Sequence, residues 1–132
     1  MVKIEKYFGE VKRGQEVPKL TPMRTTLEES KRLYHEDNFA TTAQLNMVWP
    51  TLEQYTDDAY ALNVLAELIS RGKNAPLYKV LEKEEGLSSS YYSFNRSAEL
   101  AGVFRISVTA NDGKSLKDVE AGVNEAFTLF EK

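Results

Sequence analysis

The sequence predicts an α+β fold: an antiparallel or mixed sheet of about four strands with helices packed on one of its faces. Three observations support this. Apolar residues alternate with polar ones over Thr42–Trp49, and Phe104, Ile106, Val108 and Ala110 alternate over Val103–Ala110, the period of a half-buried strand. Helical-period stripes occupy 56–72, 74–86 and 115–130. The helices fall between closely joined strand pairs, in the order β-β-α-α-β-β-α.

Taken along the chain, Val2–Phe8 reads as the last turns of a helix closed by Gly9, so that residues 1–9 are expected to be the remnant of a preceding element. Residues 10–26 mix Lys, Arg, Gly and Gln with Pro18 and Pro22 and lack apolar periodicity, as a surface linker would. A single α+β domain is then expected over 27–132. Leu27–Glu36 reads as an edge strand guarded by its charges. The strand Thr42–Trp49 is stopped by Pro50, and Trp49 is expected in the core or at an interface. Thr56 caps the first long helix and Asp57 and Asp58 favour its N-terminal dipole. Its expected buried stripe is Ala61, Leu62, Leu65, Leu68 and Ile69, and Gly72 ends it.

The next helix starts at Asn74, tolerates Pro76 in its first turn, buries Leu77, Val80 and Leu81, and stops at Gly86. Ser88–Arg96 and Val103–Ala110 are close enough to pair as a hairpin. Asn111-Asp112-Gly113 turns the chain out. Ser115 with Asp118 makes a capping box for the last helix, whose stripe is Leu116, Val119, Val123, Ala126, Phe127 and Phe130.

With 132 residues, 42% of them hydrophobic, the chain is long enough for one domain with its own core. Its net charge of −3 is spread among interspersed signs, which argues against a nucleic-acid footprint or a polybasic membrane segment. There is no cysteine, so disulfides, thiolate metal sites and thiol catalysis are excluded. No apolar run has the length of a membrane span and the N-terminus lacks a signal-peptide core, which leaves localisation open.

Little in the sequence carries chemistry. The one histidine, His35, has no second His or Cys to join it, so a catalytic zinc cannot be assembled here from imidazoles, and His35 reads as a surface strand residue. Glu82, Glu84 and Glu85 lie among Lys79 and Lys83 as a solvated charge run. Gly72-Lys73 lacks the pattern of a phosphate loop. The serines at 88–90 and 93 have no base beside them. No residue is assigned a catalytic or metal-binding role.

The run Leu77-Tyr78-Lys79-Val80-Leu81-Glu82-Lys83-Glu84-Glu85-Gly86-Leu87-Ser88-Ser89 resembles a signature of the insulinase/pitrilysin-type zinc peptidases, the inverzincins, which include the mitochondrial processing peptidases. In the second half of each domain of that family, a helix bearing Leu-Tyr-x-x-Leu-Arg-x-x-x-Gly-Leu-x-Tyr leads straight into a strand. Tyr7-Phe8-Gly9 and Val48-Trp49-Pro50 fit the same order. Glu82 stands where the family usually has Arg, and Ser89 where it usually has Tyr. In family members that use them, that Arg and Tyr help to hold substrate near the metal site of the other half. Tyr91 is either a replacement for the phenol or a packed sheet tyrosine.

The resemblance implies the second-half, non-catalytic portion of a domain of a zinc metalloendopeptidase. Such a piece would contribute chamber wall and contacts to an extended peptide substrate through Glu82, Ser89 and Tyr91. Zinc would be bound elsewhere in the parent, at a His-x-x-Glu-His site with a distant Glu. The partners would be the parent's remaining domains and an extended peptide, which the sheet edge formed within 88–110 would accept by strand addition. Phe8, Trp49, Tyr91 or Phe130, left uncovered, would let the piece self-associate. The alternative is a structural or interaction module, like the inactive processing-peptidase-like core subunits of respiratory complexes.

Overall fold

The computed structural model describes residues 2–132. A short helix α1 (Val2–Phe8) is followed by a long irregular stretch and then by β1 (Gln44–Thr51), α2 (Asp57–Ser70), a π-helical segment (Tyr78–Glu84), β2 (Ser90–Ser97), β3 (Gly102–Thr109) and α3 (Leu116–Phe130). The fold is α+β, and the sheet is antiparallel with three strands in the order β1-β3-β2. β3 is therefore central. Its register pairs Met47 and Ser93 with Ile106 on either side, and Trp49 and Asn95 with Phe104.

The expected strand Leu27–Glu36 does not form, which is why the sheet has three strands rather than about four. Glu28, Glu29, Lys31 and Arg32 follow one another without alternation, so no single face of this segment is apolar enough to be buried in a sheet. It is held instead by Arg32 within it and by Arg24 just before it, and His35 lies on an exposed, irregular stretch rather than a strand.

The helices cover one face of the sheet. Phe104, Ile106 and Val108 project from β3 into a core completed by Ile69, Leu77, Val80, Leu81, Leu87, Val119, Val123 and Ala126. Leu45 and Met47 of β1 and Tyr91 of β2 pack against its margin. Trp49 stands at the rim, 40% exposed, with its ring edge-on to Phe104 and Phe127 at 6.0 Å.

β2 faces α2 with polar side chains, which a hydrophobic alternation alone would not place there. Ser93 Oγ donates to the Ala66 carbonyl at 2.6 Å, and Asn95 Nδ2 donates to Ala59 O and Asn63 Oδ1. These bonds dock the helix by its backbone and leave no buried side-chain polar atom unpartnered among the described residues.

Thr56 caps α2, its hydroxyl accepting from the Ala59 N–H, and Ser115 caps α3 by accepting from the Asp118 N–H. The buried stripe of α2 is rotated from the expected one. Ala59, Ala66 and Ile69 are buried and Leu62 and Leu65 half-buried, while Ala61 and Leu68 face solvent. The Ser93 and Asn95 side chains bond the carbonyls of Ala66 and Ala59, which brings these two small residues into the contact and turns Leu68 outward. Tyr60, Val64 and Leu68, spaced four apart, form an exposed apolar stripe on the outer side of α2.

The expected helix from Asn74 begins with Pro76 in its first turn but widens into π geometry over Tyr78–Glu84, and Asn74 does not cap it. The Glu85 N–H bonds the Val80 carbonyl, five residues back, and the N–H groups of Leu87 and Ser88 both reach Leu81 O. Gly86, at φ 57°, makes that return possible, and Leu77, Val80 and Leu81 are buried as the stripe required. Gly102 starts β3 where a Cβ would collide with the Leu52 carbonyl and the Thr51 hydroxyl.

Candidate functional site

The residues that the sequence singles out sit around the entry to β2. Glu82 lies on the exposed side of the π-helical segment, and the Tyr91 phenol donates to its Oε2 at 3.1 Å. Burial, and then the Glu82 carboxylate, push the Tyr91 hydroxyl up to about 12. At neutral pH it is therefore a hydrogen-bond donor and not a base. Ser89 turns away from this pair: its N–H and its hydroxyl both donate to Asn111 Oδ1 at 3.2 Å.

Asn111 was legible only as a turn residue, yet it ties the two chain crossings together. Its Nδ2 donates to Gly86 O at 3.0 Å, and its N–H to Leu87 O at 2.8 Å. Beside it, a cleft of about 420 Å³ opens at the end of the sheet among Thr42, Ser89, Ser90, Thr109, Asn111 and Asp112. Its hydroxyls and amides suit hydrogen bonding to a polar chain, and it contains no nucleophile paired with a base.

β2 is an edge strand. β3 takes one side of it, and no strand among the described residues pairs with the other. The opposite edge, β1, is partly screened by the segment running past it. Arg24 makes two bonds of 2.8 Å to Glu53, and Arg32 holds Glu120 of α3 through both guanidinium arms. Between these anchors the segment borders a groove of about 750 Å³ against β1. The Arg24 guanidinium lowers the Glu53 carboxyl to about 2, and Arg32 likewise holds Glu120 below its ordinary range.

On the face of the sheet away from the helices, Asn46 Oδ1 accepts from Arg105 Nε and Nη2 and from Ser107 Oγ, and Ser107 is fully buried. The sequence carried a signal for this cluster in the polar positions 44, 46, 105 and 107, each on the non-core phase of its strand. The register that brings Asn46 beside Ser107 was needed to read it.

The donor set does not fit a catalytic zinc. There is one histidine and no cysteine, and among the described residues no three His, Asp or Glu side chains gather closely enough to hold a metal ion. No helix among the described residues is long and apolar enough to cross a membrane.

This architecture is found in solved peptidase structures. A protease from Helicobacter pylori superposes with a TM-score of 0.63 at 21% identity, over 73% of this chain and 22% of its own. A peptidase M16 inactive domain from Pseudomonas fluorescens superposes with a TM-score of 0.59 at 15% identity, over 69% of this chain and 22% of its own. At these identities the likeness is one of fold, and the chain spans about a fifth of the length of either relative. Among curated proteins none matches the sequence. The family described as the peptidase M16 inactive domain matches residues 1–132, and the chain therefore belongs to the M16 peptidase family as its inactive, non-catalytic domain.

Proposed function

We propose that this domain forms part of the chamber wall of a zinc metallopeptidase and holds extended peptide substrate there, while the zinc and the catalytic groups belong to another part of the parent. The observation that carries this reading is the free outer edge of β2 over Ser90–Ser97. A peptide added along that edge would satisfy its own backbone and the strand's together, with little demand on side-chain sequence. Glu82, Ser89 and Tyr91 stand where the edge begins, and the hydroxyl-lined cleft continues from it. In this reading Glu82 takes the place of an arginine, so the contact it offers is to a cationic or N–H donor group of the peptide.

The remaining domains of the parent are the second partner. The stripe Tyr60, Val64 and Leu68 on α2, with Phe8 and Phe130 also exposed, gives the apolar surface such domains would cover. The isolated chain would self-associate through the same patches. In this reading residues 1–9 close a preceding element, 10–26 link it to the sheet, and 27–132 act as one unit.

Backbone methylation of the peptide tests strand addition. An unstructured peptide should bind, a permuted sequence of the same composition should bind about equally, and alternate N-methylation should abolish binding because it removes ladder donors. Equal binding of the methylated peptide would contradict the reading. A structural module without peptide contact is the second reading, favoured by the replacement of both substrate-holding positions by Glu82 and Ser89.

A further inference from the structure

No helix among the described residues packs on the far face of the sheet, and the charge of its strand residues is one-sided. In a chain of net charge −3, the strand residues of this face include Arg96 and Arg105 and none that is acidic, while Glu28 and Glu29 line the groove beside β1. Among the described residues neither arginine is paired with a carboxylate. Arg105 occupies the central strand, in register with Val48 on one side and Phe94 on the other. It is only partly exposed, and a cation flanked by apolar neighbours ordinarily has an anionic partner.

Its guanidinium is held in one orientation. Nε and Nη2 both donate to Asn46 Oδ1, which also accepts from the buried Ser107 hydroxyl and so cannot easily turn away. Of the five N–H groups of a guanidinium, this leaves the Nη1 pair and one on Nη2 without an acceptor among the described residues. Tyr92 and Phe94 stack at 6.0 Å and 14° to form an aromatic ledge on the neighbouring edge strand.

We infer that Arg105, fixed by Asn46 on the far face of the sheet, is a receptor for a side-chain carboxylate of an extended acidic peptide, which passes over the Tyr92–Phe94 ledge towards Arg96. The inference rests on the peptide-holding reading above and adds the chemistry of the peptide. Charge complementarity selects the occupant: a fork of pre-oriented donors in a half-buried setting, paired with no carboxylate among the described residues, matches a carboxylate better than a cation or a neutral amide.

The test uses the full chain and three fluorescent unstructured peptides that differ at one central position, Glu, Gln or Lys, with anisotropy as the readout. The Glu peptide should bind about tenfold tighter than the Gln peptide, the Lys peptide weakest, and the Glu advantage should shrink with added salt. Arg105→Gln should bring the Glu and Gln peptides to equal affinity. Asn46→Asp should do the same by supplying Arg105 with a carboxylate in place, so the result does not depend on one variant's folding. Arg71→Gln, at the C-cap of α2 and paired with Glu67, should keep the full preference. Equal binding of the Glu and Gln peptides by the unaltered chain would overturn this inference and leave strand addition standing, whereas no binding by any peptide would overturn both. A single-stranded oligonucleotide displacing the Glu peptide and binding more tightly would also overturn it, by assigning the face to phosphates.

Discussion

The Tyr91 phenol donates to Glu82 from a half-buried position on β2, and both burial and the adjacent carboxylate disfavour the phenolate. Because the folded-state value, about 12, lies above the ordinary 10.0, the contribution to stability is fully present below pH 10.0 and is lost as pH rises through 12. Urea midpoints followed over that interval should fall for the unaltered chain and fall less for Tyr91→Phe. Identical slopes would show that the phenol is not held in this way. At Gly102 the effect is steric: an added methyl meets backbone of Leu52 and the Thr51 side chain, and backbone cannot step aside as a side-chain tip can. Gly102→Ala should cost about 1–3 kcal/mol in denaturant unfolding, and a neutral result would place that crossing wrongly. The sequence marked Glu82, Ser89 and Tyr91 but neither the Asn111 that holds Ser89 nor the Asn46 that holds Arg105. Asn111 and Asn46 act across 22 and 61 residues, and only the strand register brings such positions together.

Among the elements, local chemistry made the capped helices α2 and α3 and the β2–β3 hairpin legible, since Thr56, Ser115 and the alternation in Val103–Ala110 each act within a few residues. What escaped depends on distant contacts. The buried face of α2 is set by Ser93 and Asn95, the widened turn at Tyr78–Glu84 by the return to Leu81, and the course of residues 24–36 by two ion pairs, at Arg24 and Arg32, rather than by a ladder. Those pairs give the segment an acid response. Glu53 is held near 2 against an ordinary 4.5, so its contribution is present above pH 4.5 and is lost as pH falls through 2. Lowering the pH across this interval should raise amide exchange around Met23–Leu33 before the core opens, and Arg24→Gln should produce that exchange already at neutral pH. Core and segment loosening together would contradict it. Within the sheet, the amides of central β3 should be the slowest to exchange, ahead of both edge strands.

At the scale of the molecule, an inactive M16 domain that spans 22% of its solved relatives gains its meaning from what surrounds it. The family was legible because the order Leu77-Tyr78, Leu81, Gly86-Leu87 sits on a helix-to-strand crossing whose spacing the fold fixes. The far sheet face was not, because its charge asymmetry arises only when three strands align. The most direct test of the central claim, a non-catalytic domain that holds extended peptide, is an amide NMR titration of the chain with a long unstructured peptide, with and without zinc. Shifts concentrated along Ser90–Ser97 and unchanged by zinc are expected. Absence of shifts there, or binding that requires zinc, would contradict the account.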